Sequence, residues 1–323
     1  MIDLVLIAAG LVCLVWSSDR FIDGAAAIAH HVGLSPLLIG MTIVSLGTSA
    51  PEIVVSIMAS VSDAGSLAVG NALGSNITNI GLVLGVTLCI TSIVIDRQTV
   101  NRELLQVVCI TLLVGALMVD NTLGQLDGLV LLAGLATFLF FLAKSASEAT
   151  VSADSSASDL PLGRAWWSFL IGLAVLIVSS RMLVIGAVNI ATSLGVSELV
   201  IGLTIVAIGT SLPELAASVV SALRGQSDIA IGAIIGSNIF NFLVVLAVPG
   251  VLGPLTLEPS VMVRDWPVAL LLTLAIAGLS WRALRATRPG TSTGELGRAS
   301  GVLLLAIYAS YVAWLIVNPD TSL

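Results

Sequence analysis

The chain has 323 residues, 57% hydrophobic and only 10% charged, with a mean hydropathy of +1.12. A soluble domain carries about a quarter of its residues as charges, so the composition excludes a soluble globular fold and indicates an all-α integral membrane protein. The net charge of −7 comes with no cluster of lysine and arginine, which leaves no basis for a nucleic-acid partner.

Apolar runs of about 20 residues, the length that spans a bilayer as a helix, predict ten spans. They run over 2–31, 36–60, 66–92, 103–120, 124–144, 165–192, 198–222, 228–250, 262–282 and 299–317. The first, opening "MIDLVLIAAGLVCLVW", lacks the cationic start of a secretory signal and is read as a span. Within it, Asp19, Arg20 and Asp23 are expected to form a local ion pair. His30 and His31 end it at the interface and are not taken as ligands. Cys13, Cys89 and Cys109 stand singly in apolar segments and are read as packing residues. Asp96, Asp120, Asp127 and Asp265 sit at span ends and are expected to be solvated.

Between the fifth and sixth spans, "SASEATVSADSSASDLPLG" (145–163) reads as a flexible linker. It divides the chain into 1–144 and 164–323. Basic residues mark the cytoplasmic side. Arg97, Arg102, Lys144, Arg164, Arg224, Arg282, Arg285, Arg288 and Arg298 fall on one side and Arg264 alone on the other. The expected orientation has both termini outside and the linker in the cytoplasm.

The chain repeats itself. "GMTIVSLGTSAPEIVVSIMAS" (40–60) aligns without gaps on "GLTIVAIGTSLPELAASVVSA" (202–222), with 10 of 21 positions identical. The same offset of 162 aligns "AVGNALGSNITNIGLVLG" (68–85) on "AIGAIIGSNIFNFLVVLA" (230–247), and "SS" at 17–18 on 179–180. Five spans per copy is an odd number, so the second copy enters the membrane from the opposite side. Inverted repeats of this kind place transport sites near the midplane, on interrupted helices. A duplication kept for packing would account for matched glycines. It would not explain why the best-matched residues are polar.

Two polar clusters recur: Gly47-Thr48-Ser49-Ala50-Pro51-Glu52 with Gly209-Thr210-Ser211-Leu212-Pro213-Glu214, and Gly74-Ser75-Asn76-Ile77-Thr78-Asn79 with Gly236-Ser237-Asn238-Ile239-Phe240-Asn241. Helical spacing turns Thr48, Ser49 and Glu52 one way, and Ser75 with Asn79. Proline has no N–H and crowds the carbonyl four residues back. Pro51 therefore frees the Gly47 carbonyl and is expected to loosen that of Ser45; Pro213 does the same for Gly209 and Ala207. Asn76 and Asn238 are compatible with either packing or the site.

All these donors are hard oxygens, with no His or Cys among them, which argues against zinc, copper or iron. Calcium takes six to eight oxygens at about 2.3–2.6 Å. Sodium is of similar size and accepts the same donors, while magnesium holds its own water too tightly. Two buried carboxylates are balanced by one divalent ion, or by two monovalent ions or protons. An empty, fully charged site is costly in the membrane, which favours exchange over uniport. Three sodium ions against one calcium would make transport voltage-dependent.

"GTSAPE" and "GTSLPE", each followed by "GSNI..N", resemble the paired repeats of the sodium/calcium exchanger (cation/Ca²⁺ antiporter) superfamily, in its short prokaryotic form. The resemblance covers roughly 17–92 and 179–250. It implies a protein of the cytoplasmic membrane, with calcium and sodium as substrates, no cofactor and no enzymatic activity. It assigns Glu52 and Glu214 to calcium, with oxygens of Thr48 and Thr210. Sodium would be held by Ser49, Ser75, Ser211 and Ser237 and by the backbone at Ser45 and Ala207, while Asn79 and Asn241 would line the centre. It also implies that the first and sixth helices slide across a fixed core. Some members carry Asp where this chain has Asn241, a residue associated with potassium coupling; Asn at both positions favours potassium independence. The lipid bilayer is the expected surrounding, and no obligatory protein partner is evident.

A proton/calcium exchanger using the same glutamates is the alternative, although the four serines favour sodium. A cation channel fits the inverted repeat less well. An intramembrane hydrolase would need a Ser/Lys or paired-aspartate arrangement that the spans do not offer.

Overall fold

The computed structural model describes residues 2–148, 160–194, 207–286 and 292–317. Its helices, in chain order, are α1 (Ile2–Val32), α2 (Pro36–Thr48), α3 (Ala50–Val61), α4 (Gly65–Ile90), α5 (Thr99–Leu117), α6 (Gln125–Glu148), α7 (Leu162–Ser193), α8 (Ala207–Thr210), α9 (Leu212–Leu223), α10 (Ser227–Leu252), α11 (Val261–Ala286) and α12 (Arg298–Val317). Among the described residues eight helices are long and apolar enough to cross a membrane, and α2 with α3 makes a ninth, bent by 46°. The seventh predicted span, 198–222, lies partly outside the described residues, as does most of the 145–163 linker.

Local chemistry explains the breaks. Ser35 caps α2, its Oγ accepting from the Leu38 N–H at 3.3 Å, and Pro36 stands at the first turn where no N–H is needed. α3 ends on Asp63 (φ 57°) and α9 on Gly225 (φ 73°), which lie 162 residues apart. In each, the next N–H reaches five residues back, Ala64 to Ala59 at 2.8 Å and Gln226 to Ser221 at 2.9 Å, closing the helix through a left-handed residue.

The offset recurs in the backbone. α4 widens into a π-helical stretch at Asn79–Leu84 and α10 at Asn241–Val245; α5 opens with one at Thr99–Leu104 and α11 at Val261–Asp265. Such turns often mark functional positions. Both asparagines of the predicted site begin one.

α4 and α10 are the most enclosed helices and form the centre, while the apolar faces of the other spans stay outward. α1 and α7 run antiparallel as a pair. A Cβ on Gly24 would lie 2.5 Å from the Phe169 nitrogen, and one on Gly172 would lie 2.5 Å from that of Phe21. Gly10 meets Ser179 and Leu183, and Gly186 meets Asp3 and Ile7, so the crossing obeys the repeat. Small residues let two helices approach closely in lipid, where packing drives association. The buried side chains of α1 and α7 form a cluster separate from the central core, joined by Ile39, Val44, Ala217, Ile229 and Ala233. Gly172→Leu should therefore lower stability by about 1–3 kcal/mol, seen as a reduced thermal midpoint in detergent, while Leu170→Ala on the exposed side of α7 should not.

The fold is all-α, with one addition at the helix ends. Two short antiparallel ladders join the halves where helices end: β1 (Ile93–Asp96) pairs with β4 (Thr293–Leu296), and β2 (Thr122–Leu123) with β3 (Leu255–Thr256). Chain leaving a helix must pair its N–H and C=O groups, and the β-branched run at Ile93–Ile95 suits a strand.

The span-end acids differ from expectation at one position. Asp265 is buried, accepting from the Tyr311 hydroxyl at 2.8 Å and from Arg264 at 2.6 Å. The π-turn carries it inward beneath α12. Asp96, Asp120 and Asp127 instead accept from the N–H groups of Thr99, Thr122 and Gly124. The hydroxyl and N–H of Thr122 hold the Asp120 carboxyl below its ordinary pKa.

Candidate ion-binding site

Pro51 and Pro213 break their helices at equivalent points, leaving Glu52 in the first turn of α3 and Glu214 in the first turn of α9. A helix N-terminus favours an anion there. Both glutamates are deeply buried, 1% and 2% exposed. Among the described residues no ion pair reaches either; Arg20 lies over the Trp16 ring at 5.8 Å and Arg181 is exposed.

Ser49-x-x-Glu52 has the spacing of a capping box, yet the Ser49 hydroxyl does not cap α3. It donates across the repeats to Glu214 Oε1 at 3.1 Å. The helix breaks at Ser49, so continuous helical spacing does not relate Thr48 and Ser49 to Glu52 as predicted. Thr48 donates back to the Ser45 carbonyl at 3.3 Å.

The Ser45 carbonyl is not loosened as expected. It keeps the Ser49 N–H at 2.9 Å, because proline deletes the donor two residues later and that of Ser49 is intact. Its second lone pair takes Thr48. In the second copy the Ser211 N–H turns to Ile208 O at 3.1 Å and away from Ala207. Thr210 lies beside it in the α8 turn.

Ser75, Asn79, Ser237 and Asn241 are all buried; the asparagines begin the π-turns of α4 and α10, and the serines lie one α-helical turn before them. The site is short of partners. Both oxygens of Glu52, Glu214 Oε2, Ser211 Oγ, Ser237 Oγ and both side-chain polar atoms of Asn79 and of Asn241 are buried without a hydrogen bond. Native structures leave few such groups, and each needs an explanation; an ion is a standard one. Asn76 and Asn238 divide their roles: the Asn76 amide donates to Ala72 O at 3.0 Å, a packing role, while the Oδ1 atoms of both residues lack a partner.

Three contacts were not anticipated. Ser56 Oγ donates to Val245 O at 2.6 Å, tying α3 to the π-turn of α10. Ser56 and Ser218 are identical at the 162 offset and one turn beyond each glutamate, a signal present in the alignment. Asn71 Nδ2 donates to the Glu52 carbonyl at 3.1 Å, and with Ala233 at the matching position the repeat carries no hint of it. The third is the ion pair on α1. Asp19 and Asp23 are not paired with Arg20: both meet Arg224, at the end of α9, with Asp23 at 3.4 Å. Residues 19 and 23 are one helical turn apart, so both carboxylates can reach the one guanidinium of Arg224.

The chain matches the profile of the family described as "Sodium/calcium exchanger protein" over residues 2–144 and 164–317. It belongs to the sodium/calcium exchanger family. This exchanger-family chain is 41% identical over 318 residues to the putative antiporter CaxA of Alkalimonas amylolytica, covering 96% of this chain and 98% of that one. It is 37% identical to the inner membrane protein YrbG of Escherichia coli (strain K12), covering 94% and 95%. Its fold is similar to that of the sodium-calcium exchanger NCX_Mj soaked with sodium and calcium, with a TM-score of 0.81, 32% identity, and coverage of 98% and 99%. The exchanger family consists of membrane transporters.

Proposed function

We propose that the protein is a secondary antiporter that exchanges sodium for calcium across the membrane by alternating access. The observation that carries this reading is the meeting of Glu52 and Glu214, two carboxylates at equivalent positions of the repeat, buried with unpartnered oxygens and, among the described residues, without an ion pair to either. Glu52 and Glu214 would hold calcium with Thr48 and Thr210. Ser49, Ser75, Ser211, Ser237 and the carbonyls of Ser45 and Ala207 would hold sodium, with Asn79 and Asn241 at the centre. Two carboxylates match one divalent cation, and competition for one set of oxygens couples the two fluxes. The sodium and calcium in the name of NCX_Mj, and the antiporter name of CaxA, agree with this reading.

The architecture proposed is ten spans in two inverted five-span repeats, 1–144 and 164–323, joined by a cytoplasmic linker at 145–163, with both termini outside. The antiparallel pairing of α1 with α7 and the swapped partners of the two ladders support it. The membrane is the prokaryotic cytoplasmic one, in keeping with the description of YrbG.

The test is calcium-45 uptake into sodium-loaded proteoliposomes diluted into sodium-free buffer at equal pH. Sodium-dependent uptake is expected, with no stimulation by potassium. Uptake driven only by an imposed pH gradient would assign proton coupling to the same glutamates. Absence of both from folded protein would overturn calcium as the substrate.

A further inference from the structure

We propose that Ser18 and Ser180 form a reciprocal latch that sets the balance between the two access states; this rests on the antiporter reading above. The four serines at 17, 18, 179 and 180 are matched by the repeat but lie outside the ion site. Three donate to their own helix three residues back: Ser17 to Leu14 O at 3.1 Å, Ser18 to Val15 O at 2.9 Å and Ser179 to Leu176 O at 3.0 Å. That is the default for a hydroxyl within a helix. Ser180 alone leaves its helix and donates to Gly209 O at 2.7 Å.

The acceptor is no ordinary carbonyl. Gly209 stands four residues before Pro213, which has no N–H to offer it. Ser180 supplies the missing donor from α7. The close approach depends on glycine, because a Cβ at Gly209 would collide with the Val184 side chain. Gly47 is the counterpart before Pro51. Its carbonyl is met by the N–H of Ser49, which it shares with Ser45 O, and Ser18 is turned away from it. The space beside Gly47 is looser, with Leu173 at 3.1 Å and Phe21 at 3.8 Å from a Cβ built there.

The two copies thus share a sequence but not a hydrogen-bond pattern. The same inequality appears in the ion site, where Ser49 bonds to Glu214 while the Ser211 hydroxyl has no partner. Exchanging the roles of the halves converts this arrangement into its counterpart, with Ser18 on the Gly47 carbonyl and Ser180 turned back to its own helix. Each state then keeps one latch bond. α1 and α7 are suited to move as one body, since glycine crossings join them and their cluster is separate from the central core. A bistable element of this kind needs its two arrangements to be close in free energy, and trading one hydroxyl–carbonyl bond for its equivalent achieves that.

The experiment reads the two states directly, without reference to which ions are carried. Spin labels go on Val178→Cys of α7 and Val61→Cys of α3, both exposed. The background carries Cys13→Ala, Cys89→Ala and Cys109→Ala. Distances are measured in liposomes for the parent, Ser180→Ala, Ser18→Ala and the double variant. Removing one hydrogen bond should change the ratio of the two distance populations about three- to tenfold. The expected result is a shift one way in Ser180→Ala, the opposite way in Ser18→Ala, and a return to within about twofold of the parent in the double variant. Loss of packing alone would not give opposite signs that cancel. Shifts of the same sign, a shift in one variant only, or no shift would overturn the latch. Opposite shifts with no sodium-driven calcium uptake would keep the latch and overturn the proposed substrates.

Discussion

Glu214→Gln should reduce sodium-driven calcium uptake by roughly 100- to 4000-fold while leaving the protein folded. The carboxylate is buried, receives the Ser49 hydroxyl and, among the described residues, has no ion pair. A divalent ion bound there is paired with two charges, and removing one partner of a buried pair costs about 3–5 kcal/mol. With each 1.4 kcal/mol worth about tenfold, that gives the range above. Glutamine keeps the shape and the acceptor oxygen, so the loss reports charge. Glu295→Gln, on the exposed β4 ladder, should transport normally. The variant should also be no less stable than the parent without calcium, because a buried charge has gone. Full uptake in Glu214→Gln would remove this residue from the site.

Gly236→Val should be nearly as damaging by a different route. A Cβ at this position would lie 2.5 Å from Ser45 Oγ, 2.6 Å from Met41 O and 2.7 Å from Met41 Cα. Two of these neighbours are backbone atoms and the third is a side-chain hydroxyl, all within α2, so α10 must move. Overpacking of this kind costs about 1–3 kcal/mol. The displacement carries Ser237, Asn238 and Asn241 away from Glu52, and a shift of about 1 Å in a positioned group can cost about 100-fold in rate. A lowered thermal midpoint together with loss of calcium-45 uptake is expected. Gly278→Ala, on the exposed side of α11, serves as the control and should change neither.

Much of the site was legible because ions demand particular atoms. A carboxylate and a proline inside an apolar run are expensive, and finding both twice at one offset leaves a narrow set of explanations. The π-turns were not legible. They depend on how α4 and α10 fit against each other, and no residue type demands them. Ser49 is the instructive case. Its spacing to Glu52 reads equally well as a helix face or as a capping box. The hydroxyl does neither, because the 46° bend aims it across the interface at Glu214. The Ser45 carbonyl was misjudged for a simpler reason, since proline removes one donor and the effect stops at the carbonyl that needed it.

Composition by itself determined that this protein lives in a membrane, and the 162-residue offset determined that it is built twice and which polar residues answer one another. Those conclusions follow from transfer free energy and from pattern, both of which are local properties of the chain. Only the tertiary structure decided which equivalent residues behave alike. Ser180 takes the Gly209 carbonyl while Ser18 stays on its own helix, and Asp19 and Asp23 take Arg224 over their neighbour Arg20. Two copies of one sequence have the same preferences. Which of two competing partners a side chain meets depends on where the packing of α1 and α7 against the core brings it.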